Sequence, residues 1–232
     1  MLKNKEGETM ITSRIELFEK LVSDINKYSP IVIQGEAGVG KSFFIDQLCR
    51  KLAEKGKIKE YNIRKSWDVL DDLICALSYH SMPEWKNDLL SSDIIVIDDF
   101  QYLDRKSVIV EELYKIFSST NVPIILATSI PINTENIHSK ELVEFLNEGT
   151  YIKFESPLSD EISEYLKQQV KKSNLHLSPQ AYLWLTEQKI CDLATIKGII
   201  KTLQLYCENE DEYITLANCK KLVHALLCTK TN

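Results

Sequence analysis

The sequence has little arginine, no surplus of positive charge, no paired-cysteine pattern and no long apolar run. Its 232 residues hold 28 Lys plus Arg against 34 Asp plus Glu, a net charge of -6, and the isoelectric point lies near 5.4. A chain that binds nucleic acid by bulk neutralisation of phosphates has the opposite balance, so any DNA contact must be local or borrowed from a partner. The six cysteines, Cys49, Cys75, Cys191, Cys207, Cys219 and Cys228, form no CxxC pair and no Cys/His run at zinc spacing, and read as buried reduced thiols. His80, His138, His176 and His224 form no HExxH or Cys/His pattern. No stretch approaches the roughly 18 apolar residues that cross a bilayer, and the polar start MLKNKEGETMIT lacks the apolar centre of a signal peptide. A cytoplasmic protein is expected.

What is present fits a soluble folded chain: 44% of residues are apolar and 27% charged, and the length suits one α/β domain with a small appendage. Residues 1–11 read as a loose tail. Apolar residues at three- and four-residue spacing predict a helix over Thr12–Lys27, and the β-branched run Pro30–Gln34 predicts a strand. Helical spacing resumes over Phe43–Lys55, followed by a strand near Ile58–Ile63 and a helix over Trp67–Tyr79. Asp93–Ile97 is an uninterrupted apolar run, as in a parallel strand buried on both faces. A helix (Lys106–Ser118), a buried strand (Pro123–Ala127) and a last strand (Tyr151–Phe154) follow. Strands alternating with helices imply a parallel sheet covered on both faces. Beyond Ser156-Pro157 the pattern is helical only: Asp160–Lys172, Ser178–Glu187, Leu193–Tyr206 and Leu216–Leu227. The expected domains are 12–156, α/β, and 157–232, an all-helical lid in which nine lysines balance nine acids.

Gly35-Glu36-Ala37-Gly38-Val39-Gly40-Lys41-Ser42 satisfies G-x-x-x-x-G-K-[ST] at every fixed position and lies between a predicted strand and a predicted helix. The spacing suits a phosphate cradle because glycines let backbone N–H groups curl inward while the following helix presents its positive end. Residues 35–43, from Gly35 to Phe43, are therefore the expected binding set for ATP or ADP. Lys41 would reach the β- and γ-phosphates and Ser42 would supply a hydroxyl to Mg²⁺. Asp98 and Asp99 end the next buried strand; Asp98 is assigned to Mg²⁺ and Asp99 to orienting the attacking water. Thr128 or Ser129, ending the strand after that, is placed to sense the γ-phosphate.

The segment Asp93-Ile-Ile-Val-Ile-Asp-Asp-Phe-Gln-Tyr-Leu103 resembles the Walker B region of the bacterial initiator DnaA family and its Hda and DnaC-type helicase-loader relatives. Pro123–Pro131 resembles that family's sensor 1 strand, and Ser156–Asp160 its junction to a helical lid. The resemblance spans about residues 12–228 and implies a P-loop AAA+ fold that assembles through neighbouring subunits. It also implies an arginine finger and a sensor 2 arginine, since guanidinium groups stabilise charge on the γ-phosphate oxygens. Here the arginines are Arg14, Arg50, Arg64 and Arg105 alone. Aligning residues 192–198 with the sensor 2 helix puts Ala194 at the arginine position, and the finger region before Gly149 offers Glu144 and Phe145. Lys140, Lys197 and Lys201 remain as substitute charges. A full initiator would continue past Asn232 into a basic helix-turn-helix domain, so independent recognition of double-stranded DNA is not expected.

Three functions follow. The first is a regulatory or adaptor ATPase module that acts in DNA replication or mobile-element transactions by docking on another ATPase, a helicase or a clamp. The second is a self-assembling ATPase or helicase loader on single-stranded DNA, for which Lys55, Lys57 and Lys59 are the clustered cations. The third, a P-loop kinase of a small metabolite, fits poorly with the helical C-terminal third. No membrane partner is expected, and hydrolysis by the chain alone should be weak.

Overall fold

The computed structural model describes residues 14–103, 107–173, 175–188, 190, 192–209 and 213–228. The chain forms two compact units. The larger comprises Glu16–Ala37 and Lys41–Glu155. It holds α1 (Ile15–Ser23, whose first residue is grouped with the other unit), α2 (Ile25–Tyr28), β1 (Ile31–Gly35), α3 (Lys41–Glu54) and β2 (Asn62–Lys65). These are followed by α4 (Ser66–Ser78), α5 (Met82–Leu90), β3 (Ile95–Asp98), α6 (Ser107–Ser119), β4 (Ile124–Thr128), α7 (Lys140–Asn147) and β5 (Thr150–Phe154). The strands form one sheet in the order β2-β3-β4-β1-β5, and every pairing is parallel. β3 and β4 are buried at every position, which explains their continuous Ile/Val/Leu runs.

A parallel sheet brings all strand ends to one edge, where ligands of open α/β sheets bind. Register then fixes which residues meet there: Lys65 lies beside Asp98, and Gln34 beside Thr128. The core under this edge includes Val32, Leu73, Ile95, Ile97, Phe100, Leu113 and Leu126.

The second unit gathers Arg14, Ile15, Gly38–Gly40 and the chain from Ser156 onward. Its helices are α8 (Ser159–Lys172), α9 (Pro179–Thr186), α10 (Leu193–Asn209) and α11 (Leu216–Cys228). They bury Leu166, Ala181, Leu185, Ile196, Ile199 and Leu203 around one core. As its Ser-Pro start implies, α9 is capped by Ser178, whose hydroxyl accepts from Ala181 N at 3.2 Å. Asp192 caps α10, accepting from Thr195 N and Thr195 Oγ1 at 2.8 Å each.

Several sequence expectations change. The first predicted helix is two, because Asp24 leaves helical geometry (φ -156°) and caps α2 through Lys27 N; Thr12 and Ser13 lie outside the described residues. The second strand is Asn62–Lys65 rather than Ile58–Ile63, because Asp93 accepts from the amides of Lys59 and Glu60 and holds them in the preceding turn. The helices α5 and α7 fall where no element was expected. Both are short, and each buries only a few residues: Trp85 and Leu89 in α5, and Leu142, Val143 and Leu146 in α7. Among its described residues the lid adds to its helices a parallel bridge, Leu177 to Ile214. Cys49 and Cys219 are buried as expected, whereas Cys75 is exposed and Cys207 partly so. The Cys191 and Cys228 side chains lie outside the described set. No described helix is long and apolar enough to cross a membrane.

Two predictions follow from packing. An added Cβ at Gly149 would lie 2.0 Å from the Pro30 carbonyl oxygen, at the point where Thr150 N donates to that oxygen (2.8 Å) and sets β5 on β1. Gly149→Ala should therefore cost about 1–3 kcal/mol or more in urea unfolding. Burial pushes the Cys49 thiol up to about 12, so thiol titration of the native protein should modify Cys75 promptly and Cys49 only after denaturant is added.

Candidate nucleotide-binding site

β1 delivers the chain into the loop Gly35–Gly40, and α3 begins at once with Lys41. Gly38 (φ +84°) and Gly40 (φ +97°) adopt conformations that side-chain-bearing residues rarely take. Gly35 and Val39 are buried, Glu36 and Ala37 exposed, and Phe43 half-buried. Lys41, only 7% exposed, donates from Nζ to the carbonyl oxygens of Gly35 (2.6 Å) and Glu36 (2.9 Å). Loss of water lowers its pKa from the usual lysine value, against the pull of Asp98 and Asp99. Arg14 Nη1 donates to the Val39 carbonyl oxygen at 2.6 Å. Burial pushes this guanidinium down to about 10, opposed by Glu161.

Asp98 ends β3 with 1% exposure. Its Oδ1 accepts from Asp99 N (2.9 Å), and its Oδ2 accepts from Ser42 Oγ (2.6 Å) and Lys65 Nζ (2.6 Å). Asp99 is left-handed (φ 60°, ψ 39°), a conformation that acids tolerate better than most residues and that marks functional turns. Its Oδ2 accepts from Lys65 Nζ at 2.7 Å, and Gln101 Nε2 lies 3.5 Å from its Oδ1. Gln101 Oε1 in turn accepts from Ser129 N at 3.1 Å. Burial by itself would lower the Lys65 ammonium; the hydrogen bonds and charges of the two carboxylates outweigh it and raise the group above the usual lysine value.

Ser42, Asp98, Lys65, Asp99, Gln101 and Ser129 thus belong to one hydrogen-bonded set, and Lys41 feels the charge of both acids without a hydrogen bond to either among those described. The Thr128 hydroxyl is buried and closes its own turn, donating to Ile130 O (3.0 Å) and accepting from Ile130 N (3.2 Å). Lys140 pairs with Glu144 on α7; Arg50 pairs with Asp46, and Arg64 with Asp72 and Asp88. Arg105 lies outside the described residues. Lys65, Gln101 and Arg14 were assigned no role from sequence. Their signals were position alone: Lys65 stood two residues past the predicted strand, and Gln101 inside the DDFQYL run.

The donor set suits Mg²⁺ bound to a nucleotide, which takes one or two carboxylate or hydroxyl ligands and draws the rest from phosphates and water. Among the described residues no group of three or more acids, histidines and cysteines forms an all-protein metal cage.

The parallel sheet, glycine cradle and acidic strand end define a P-loop AAA+ module, a fold matched by domain III of the Thermotoga maritima initiation protein DnaA over 98% of this chain and 100% of that one (TM-score 0.82, 18% identity). AMPPCP-bound DnaA from Aquifex aeolicus aligns over 86% of this chain and 64% of its own (TM-score 0.73, 22% identity). A DnaA bound to AMPPCP and single-stranded DNA aligns over the same shares (TM-score 0.71, 22% identity). The model of the bacterial DnaA ATPase domain matches residues 18–152, and the chain belongs to that family. A Buchnera aphidicola chromosomal replication initiator protein DnaA is 22% identical over 211 residues, 89% of this chain and 48% of that protein. The chain spans about half the length of the curated relatives it matches.

If Lys41 holds the polyphosphate, Lys41→Ala should abolish detectable ATP binding in a fluorescent-nucleotide titration, a loss of at least about a hundredfold. Unchanged affinity would remove the loop from the site.

Proposed function

We propose that this module binds ATP and ADP with Mg²⁺ and uses the nucleotide chiefly as a conformational ligand. In this reading it regulates replication-linked DNA transactions by docking on another protein: a replication ATPase, a helicase or a clamp. The observation that carries the reading is where the described arginines go: Arg50 and Arg64 are engaged by acids of their own neighbourhoods, and Arg14 donates to the Val39 carbonyl oxygen of the glycine loop.

The residues divide the work. The Gly35–Gly40 backbone and Lys41 would hold the phosphates, while Ser42 and Asp98 would hold Mg²⁺. Mg²⁺ held there would neutralise charge on the phosphate oxygens. Asp99, positioned by its left-handed backbone and linked through Gln101 to the Ser129 amide, would orient water. Thr128 would act through the turn it closes. Replication as the setting is supported by the name of the curated relatives, chromosomal replication initiator protein. The alternative, a self-assembling ATPase or helicase loader, is favoured by one observation: a structural neighbour is a DnaA bound to AMPPCP and single-stranded DNA. The net charge of -6 argues against strong binding of double-stranded DNA by this chain.

ATP turnover at several protein concentrations, with and without single-stranded DNA, separates the two when run beside a nucleotide titration. The regulatory reading expects tight binding with turnover below about one per minute, far under the usual enzymatic range. Turnover that climbs with protein concentration or with DNA would show a self-assembling motor instead.

A further inference from the structure

Lys65 makes contacts that a phosphate site built on a divalent metal does not require. Its strand, β2, lies at the sheet edge, and parallel register sets Lys65 beside Asp98. Its Nζ sits 2.6 Å from Asp98 Oδ2 and 2.7 Å from Asp99 Oδ2, and 5.5 Å from the centroid of the Trp67 ring. The Trp67 ring itself packs against Tyr102, with centroids 6.3 Å apart. An aromatic face behind an ammonium favours the charged form and holds it in place. The oxygen that accepts from Lys65 is the one that accepts from Ser42, so the ammonium occupies the carboxylate–hydroxyl corner where a metal would draw its protein ligands. Two adjacent carboxylates facing a polyphosphate are mutually repulsive, and a cation between them removes that repulsion.

We propose that Lys65 is a built-in counter-cation of the nucleotide site: it competes with Mg²⁺ for Asp98 and Asp99 and makes retention of ATP or ADP largely independent of the metal. The proposal deepens the nucleotide-binding reading above and rests on it. In Mg²⁺, the ammonium must leave Asp98 Oδ2 before the metal can share that oxygen with Ser42. Without Mg²⁺, the same ammonium supplies the positive charge that keeps the acids from repelling the phosphates.

The test is a titration of fluorescent ADP with the full chain, in excess Mg²⁺ and in EDTA, for the wild type, Lys65→Met and Lys65→Arg. The wild type should bind within about threefold equally in the two conditions, a difference under about 1 kcal/mol. Lys65→Met should lose about tenfold or more in EDTA, keep its affinity in Mg²⁺, and melt at a higher temperature when Mg²⁺ is added. Lys65→Arg, which keeps the charge on a bulkier head, should recover most of the wild type's binding in EDTA and guards against a folding defect. A wild type as dependent on Mg²⁺ as Lys65→Met overturns the proposal and leaves the nucleotide reading intact. No nucleotide bound in either condition overturns that reading instead. Mn²⁺ binding without nucleotide, followed by electron paramagnetic resonance, then decides the competition by itself: Lys65→Met should bind Mn²⁺ about tenfold more tightly than wild type, and equal affinities overturn the proposal.

Discussion

Asp98 carries a carboxylate almost wholly removed from water at the end of an otherwise apolar strand. An ion in that position costs several kcal/mol unless every lone pair is met. Three groups meet it, each from a different piece of chain: the Asp99 amide, the Ser42 hydroxyl at the start of α3, and the Lys65 ammonium at the end of β2. For all three to converge, β2 must lie parallel to β3 in the observed register, α3 must begin one residue before Ser42, and the chain must turn left-handed at Asp99. The sheet edge, the glycine loop and the strained turn are in this sense conditions of one buried charge.

The economy of cations follows from the same geometry. On a strand, neighbouring side chains point to opposite faces, so consecutive basic residues at 64 and 65 serve different ends. Arg64 faces Asp72 on α4 and Asp88 on α5, while Lys65 faces the acids of the site. The divergence suits their chemistry: a guanidinium can engage two acids through separate nitrogens, whereas an ammonium is a compact point charge that fits between two carboxylates. With Arg50 held by Asp46 on its own helix, the cations that face Asp98 and Asp99 among the described residues of this unit include Lys41 and Lys65.

Much of this was legible in the sequence, and the limits have physical causes. The apolar runs at Ile31–Ile33, Ile94–Ile97 and Ile124–Ala127 announce buried parallel strands because no alternation is needed when both faces are covered. The glycine loop and the Asp98-Asp99 pair are local patterns, readable without knowing what packs beside them. Lys65 is different. Its place is a matter of register between two strands more than 30 residues apart, and the polar segment Tyr61–Lys65 carries no hydrophobic signal that would extend β2 to its true end. Gln101 likewise joins Asp99 to Ser129 across 28 residues, a link that spacing alone does not encode. The break at Asp24 hides inside an unbroken three-four pattern, because Ile25 keeps the apolar phase while Asp24 leaves helical geometry to cap the second helix.

Asp99, to which the proposed reading gives the water, accepts from the same ammonium that satisfies Asp98. One oxygen of Asp99 is therefore already engaged by the protein's own cation. In the proposed reading one lysine would serve two ends that otherwise need separate causes: nucleotide held without reliance on a metal, and nucleotide hydrolysed slowly. A module with both properties keeps its bound state long enough for another protein to read it, which is what a nucleotide used as a conformational ligand requires.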